Sequence, residues 1–255
     1  MLWKLWKYEM RISYRNFVLM YAILIACVFL LHLNVFLGKG DLMNILLGLL
    51  TMIYGIMVFV LSIFGITNVI MTYRSSMFKK SAVLTHTFPV KEWQTLLVKT
   101  LSGVFWIFVT SVVVILSMLL LTIPLVDYET SFFDVFINLD WGSIRWDRSL
   151  FYLFLFMFII ILNITEFISM VYFALNITHS CFIQKARKFF AFAIVIGILF
   201  IQSLISEWLP FMNDVNFSYI RHWTDIPWIE ILFPIALILL WYFSSLYLIK
   251  HKMEI

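Results

Sequence analysis

Charge is what this sequence is short of. Only 13% of its 255 residues are Asp, Glu, Lys or Arg, roughly half the share of an ordinary soluble domain, so there is too little polar surface to cover a water-soluble core. Glycine is scarce too, with eight. None of the eight falls in a GxxxxGK[ST] or GxGxxG arrangement, and the chain therefore lacks a phosphate cradle with which to bind a nucleotide itself. The five histidines, His32, His86, His179, His222 and His251, lie at the edges of apolar runs or between them, which leaves no HExxH helix and no intramembrane His pair. No GxSxG elbow has a histidine at matching depth. The two cysteines, Cys27 and Cys181, fall in different compartments and read as packing residues, not as a disulfide. The expectation is a chain that is not an enzyme, holds no cofactor or metal, and binds no nucleic acid, since no basic run is interleaved with a soluble domain.

What is abundant is apolar: 64% of the residues are hydrophobic and 19% aromatic, with a mean hydropathy of +1.01. Six runs are long enough to cross a hydrocarbon core of about 30 Å. They are Phe17 to Leu37, Asn44 to Met71, Leu96 to Ile123, Leu150 to Leu175, Phe189 to Leu209 and Trp228 to Ile249. A membrane β-barrel is excluded because its strands would alternate apolar and polar residues over about ten positions. The expected fold is all-α, a polytopic membrane protein forming one transmembrane domain over residues 1–255. The first run reads as an uncleaved anchor, since HLNVFLGKG after it offers no small-residue cleavage site.

The distribution of the 18 Lys and Arg residues sets an expected orientation. With the N-terminus inside, the inner segments carry Lys4, Lys7, Arg11, Arg15, Arg74, Lys79, Lys80, Lys91, Lys99, Lys185, Arg187, Lys188, Lys250 and Lys252. The outer segments carry only Lys39, Arg145, Arg148 and Arg221. Positive charge stays on the cytoplasmic side, so both termini are expected there. In Met1 to Asn16, cations recur at steps of three and four on one face and Trp3, Trp6, Met10 and Phe17 on another, the pattern of an interfacial amphipathic helix. The segment Thr72 to Gln94, TYRSSMFKKSAVLTHTFPVKEWQ, joins spans 2 and 3 and reads as a basic cytosolic loop. Within it Ser81 to Phe88 has room for about two helical turns before Pro89 disfavours helix at Phe88.

Three features within the spans invite a role. In span 2, Gly48, Gly55 and Ser62 recur every seven residues, with Gly65 three further on, a stripe that lets another helix approach closely, within the chain or across a dimer axis. In span 4, Glu166 is the only acid well inside a span, with Asn163 one turn earlier. Such a group needs a partner or a water-filled cavity. A structural pair with Lys99, near the start of span 3, or the lining of an inward cavity is favoured over a proton relay. Lys99 itself is expected to bury its stem and snorkel. The acidic outer loop from Pro124 to Arg148 lacks calcium-loop spacing, and the aromatics between Trp208 and Trp228 are of the kind that gather at interfaces.

The order of parts, together with the run Thr85, His86, Thr87, Phe88, Pro89, Val90, Lys91, Glu92, Trp93 and then Lys99, resembles the small membrane subunits of type V ATP-binding-cassette (ABC) exporters of Gram-positive bacteria. One departure is Lys79, Lys80 and Ser81, where that family often has an acidic residue and a glycine. The resemblance implies that a coupling helix carrying Val83, Leu84, Thr85, His86, Phe88, Pro89, Lys91, Glu92 and Trp93 docks on a separate cytosolic ATPase, which binds ATP and Mg. It implies a second permease copy, as homodimer or heterodimer, in the bacterial plasma membrane. It also implies export of an amphipathic cargo, a peptide toxin such as a phenol-soluble modulin or an antimicrobial peptide. Two other readings stay open: a proton-coupled secondary transporter using Glu166, and a membrane immunity or scaffold protein.

Overall fold

The structure, a computed structural model, describes residues 2–37, 41–78, 91–126, 146–180, 187–208 and 228–252, all helical except Lys91. The helices are α1 (Leu2–Leu37), α2 (Asp41–Phe78), α3 (Glu92–Val126), α4 (Trp146–Ser180), α5 (Arg187–Trp208) and α6 (Trp228–Lys252). Hydrocarbon supplies no hydrogen-bond partner, so a spanning segment must satisfy its backbone internally. Hydroxyls in these helices follow the same rule. Ser62 donates to the Val58 carbonyl at 2.9 Å, Thr110 to that of Trp106 at 2.8 Å and Thr165 to that of Ile161 at 2.6 Å. Five helices are long and apolar enough to cross a membrane, and in α5 the apolar part found is the shorter Phe189–Ile205. The chain is a polytopic, all-α membrane protein. Its outward side chains are apolar, among them Phe29, Phe59, Phe192 and Phe243, as lipid contact requires.

The first 16 residues differ from expectation. They are not a separate interfacial element but the start of a continuous 36-residue helix, about 54 Å long at 1.5 Å per residue. A segment lying along the interface cannot be collinear with one that crosses it. Which side turns inward is set by Glu9, Ser13 and Phe17, four residues apart and all buried. Lys4, Lys7, Arg11 and Arg15 are exposed, Trp6 and Met10 are half-buried, and Trp3 is exposed.

Two compact units divide the chain. One comprises Trp6–Val69 and Phe105–Trp146, and aromatic stacking holds it. The Phe17 ring lies on the Trp106 indole at 4.5 Å and 3° between planes, with Phe64 edge-on to Phe17 at 6.2 Å. Hydroxyl pairs lie along the same helices, Tyr21 with Thr110 at 2.7 Å and Tyr54 with Ser117 at 2.8 Å. Leu24, Cys27, Val28, Leu31 and Tyr54 form the buried core.

The small-residue stripe of α2 divides here. A Cβ on Gly65 would meet Thr110 at 3.7 Å and Phe17 at 3.9 Å, whereas one on Gly48 or Gly55 would meet nothing within 4 Å. Ser62 is exposed too. Among the described residues, therefore, Gly65 is the member of the stripe that serves helix packing, and Gly48, Gly55 and Ser62 lie open.

The second unit comprises Met1–Leu5, Ile70–Val104 and Asp147–Ile255. Ile231 of α6 packs on Phe151, Leu155, Ile159 and Leu162 of α4, and Trp241 meets Phe173 at 4.9 Å. Both contacts advance together along the sequence, so α4 and α6 run parallel.

Gly65→Leu should destabilise the protein by about 1–3 kcal/mol, because the added branches must displace Phe17 from its stack. Gly55→Leu should leave the melting temperature of the isolated chain unchanged, as read from thermal melts in detergent.

Candidate functional site

Where α2 ends and α3 begins, the second unit gathers polar and aromatic side chains that the apolar spans lack elsewhere. Helical spacing puts Tyr73, Ser76 and Met77 on one face of α2, and Ser169, Tyr172 and Asn176 on one face of α4. Met77 and Ser169 are buried, and Tyr73 and Asn176 are fully so. The Tyr73 hydroxyl donates to Asn176 Oδ1 at 2.9 Å, and its ring stacks on Tyr172 at 3.8 Å and 12°. Phe78 stacks on His179 at 3.7 Å and 5°. Both contacts join the last turns of α2 to the last turns of α4.

The other end of the connecting segment is tied into the same cluster. Lys99, on α3, donates from Nζ to Ser76 Oγ at 2.6 Å, and the Tyr172 hydroxyl donates to the Lys99 carbonyl at 3.4 Å. Only 3% of Lys99 is exposed. It does not snorkel to water as its place near a span end suggests, but turns into the cluster toward a hydroxyl. The Tyr242 hydroxyl of α6 donates to the Trp93 carbonyl at 2.8 Å. Thus α2 arrives at the segment, and α3 leaves it, through side chains held on α4 and α6.

Of the coupling residues named from the sequence, Val83, Leu84, Thr85, His86, Phe88 and Pro89 lie outside the described residues. Lys91, Glu92 and Trp93 are exposed at the start of α3. The Lys91 carbonyl accepts the Gln94 amide at 2.9 Å and the Thr95 amide at 3.3 Å, which closes the first helical turn. Glu92 stands in that turn, where a negative charge favours the helix dipole. The sequence-based loop Thr72 to Gln94 is shorter in the structure, because α2 continues to Phe78 and α3 starts at Glu92.

Glu166 lies elsewhere, within the span formed by Phe154–Ser180. Gln202 Nε2 of α5 donates to Glu166 Oε1 at 2.8 Å. The structure thus gives Glu166 and Lys99 different partners. Lys99 stays with Tyr172 and Ser76 near the helix ends, while Glu166 lies a turn and a half earlier on α4. Asn163 is exposed and Glu166 half-buried. Among the described residues, no group of three or more His, Cys, Asp or Glu could hold a metal ion.

Sequence reasoning missed Tyr73, Tyr172, Asn176 and Gln202. Tyr73 had been assigned to a loop. Gln202, however, has a legible signal: counted from the turn between α4 and α5, it is as deep in α5 as Glu166 is in α4, so antiparallel neighbours would bring them level.

No family model, no curated protein and no solved structure matches the chain. The assignment rests on architecture: a multi-pass, all-helical membrane protein, consistent with a plasma-membrane location and with a membrane transport or permease role in general.

Tyr73→Phe removes the donor to Asn176 from a fully buried pair, and should cost up to about 1.7 kcal/mol. Unfolding in a denaturing detergent titration measures the loss, and Tyr21→Phe, at a part-buried pair, should cost less.

Proposed function

We propose that the chain is the membrane permease subunit of an ABC exporter, working as a dimer with two copies of a separate cytosolic ATPase. The observation that carries this reading is the attachment of both ends of the basic segment to α4, through Tyr73–Asn176 and Phe78–His179 on one side and Tyr172–Lys99 on the other, with Lys99–Ser76 joining the two ends to each other. A segment tethered only by its own chain would absorb a push. One whose two roots are stacked and hydrogen-bonded to a transmembrane helix transmits it.

In this reading the termini and the segment 79–91 face the cytosol, with Lys79, Lys80 and Lys91 available to an acidic groove. ATP binding on the partner closes the ATPase pair and displaces the coupling residues from Val83 to Trp93. The displacement reaches α4 and α6 through the clamp and biases an equilibrium between inward-open and outward-open states. This chain contributes no hydrolytic residue, and ATP and Mg belong to the partner. The cargo is an amphipathic molecule, a peptide toxin or antimicrobial peptide. The open face of Gly48, Gly55 and Ser62 suits close approach of a second copy.

The test is purification of the tagged chain from its native membrane in mild detergent, with partners and stoichiometry read by mass spectrometry. A P-loop ATPase at one copy per chain is the expected result, and its absence under several gentle extractions overturns the proposal. Charge reversal of Lys79, Lys80 and Lys91 should weaken ATPase association about tenfold or more, equivalent to about 1.4 kcal/mol. Tyr73→Phe should leave the ATPase bound and lower export, because it loosens the clamp and not the docking surface.

A further inference from the structure

The mid-span polar group of α4 and α5 takes no part in the clamp, yet it is the costliest feature of the second unit. Glu166 is 12 residues from Phe154 and 14 from Ser180 in that span, about 18 and 21 Å at the helical rise, which places it near the middle of the hydrocarbon. Asn163, one turn earlier on the same face, is exposed. On the faces that carry Asn163 and Gln202 the exposed side chains include Phe156, two turns before Asn163 on α4, and Leu199, one turn before Gln202 on α5. An exposed carboxamide and a half-buried carboxyl group would each cost several kcal/mol against bare lipid.

A carboxylate offers about four lone-pair positions, and the described residues fill one, with the Gln202 amide at 2.8 Å. The neighbouring Asn163 carboxamide adds a further acceptor on the same helical face. Acceptors in excess, a carboxyl group that a bound cation would hold ionised and an apolar surround fit a ligand with several N–H donors, positive charge and a hydrocarbon body. An anion is repelled, and an uncharged alcohol leaves most of the acceptors unfilled.

We propose that Glu166, Asn163 and Gln202 form a membrane-facing binding site for the primary ammonium group of an amphipathic molecule, whose hydrocarbon part lies against Phe156 and Leu199. The three ammonium protons go to the remaining Glu166 oxygen positions and the Asn163 carbonyl, while Gln202 holds the carboxylate in place. This rests on the permease reading for why such a molecule is present, but not for the site itself.

The experiment uses the full chain in lipid nanodiscs, without any ATPase, and dodecylamine carrying a photoreactive diazirine on its chain. The same chain ending in an alcohol serves as control. The amine should label α4 and α5 around residues 156–166 and 199–205, and unlabelled dodecylamine should compete. Glu166→Gln should lower that labelling about tenfold and Asn163→Leu about threefold, with Glu166→Asp restoring part of it and alcohol labelling unchanged throughout. Asn163 is exposed, so its variant tests the site even if changes at Glu166 disturb folding. Equal labelling by amine and alcohol, or amine labelling indifferent to both variants, overturns the proposal. So does efficient disulfide cross-linking between copies of Asn163→Cys, which would show that a second chain covers the face. Proton-coupled uptake lost in Glu166→Gln with amine labelling intact also overturns it, in favour of a proton site. Failure to recover an ATPase sinks the exporter reading and leaves this result standing, and the reverse holds as well.

Discussion

Hydrocarbon accepts no hydrogen bonds, and nearly every structural choice in this chain answers to that. Helices satisfy the backbone locally, and serines and threonines return their protons to carbonyls three or four residues back, as in Ser117 to Val114 and Ser169 to Glu166. A few polar side chains then join one helix to another, among them Tyr21 to Thr110, Tyr54 to Ser117, Tyr73 to Asn176 and Gln202 to Glu166. Such bonds are individually modest in membranes, averaging about 0.6 kcal/mol with a maximum near 1.7. Their value lies in register. An apolar helix slides over its neighbour at small cost, while a hydroxyl that must find one amide cannot.

The two units use this constraint differently. In the first, the flat contact of Phe17 on Trp106 supplies area, and the Tyr21–Thr110 pair one turn further along fixes the rotation of α1. In the second, polar groups gather where the backbone leaves the helix. The Lys99 ammonium is buried there and needs acceptors, which ties it to Ser76 and so to the last turns of α2. Burying a cation is worthwhile only if its partners stay in place. The aromatic contacts of Tyr73 with Tyr172 and Phe78 with His179 are what keep α2 against α4.

Much of this was legible in the residues. Hydropathy and length mark the spans within a few positions of α2, α3, α4 and α6, because the membrane imposes a single length scale on all of them. The direction of α1 was not legible. Lys4, Lys7, Arg11 and Arg15 satisfy an interfacial helix and an exposed face of a long helix equally well, and only the burial of Glu9 and Ser13 decides between them. Lys99 was placed at the right end, but its bond to Ser76 was not foreseen. A lysine stem reaches either water or a neighbouring hydroxyl, and sequence spacing carries no information about which helix stands beside it. The stripe of α2 shows a related limit: periodicity identifies a face but not its neighbour, and among the described residues a Cβ on Gly65 would meet Phe17 while one on Gly55 would meet nothing.

The arrangement along α4 has a mechanical consequence. Asn163 and Glu166 lie near its middle, and Tyr172, Asn176 and His179 near its end, with neither glycine nor proline anywhere in Trp146–Ser180. Sharp kinks need such residues, a π-bulge or a side chain inserted into the ladder, so α4 moves as a rod over this length. The ten residues between Glu166 and Asn176 span about 15 Å. A tilt that carries the Tyr73–Asn176 contact sideways also carries Glu166, and its hydrogen bond to Gln202 must follow on α5 or break. The mid-span carboxyl group and the roots of the basic segment are therefore two stations on one lever. Whatever binds at either station acts on the position of the other, to the extent that it prefers one tilt of α4.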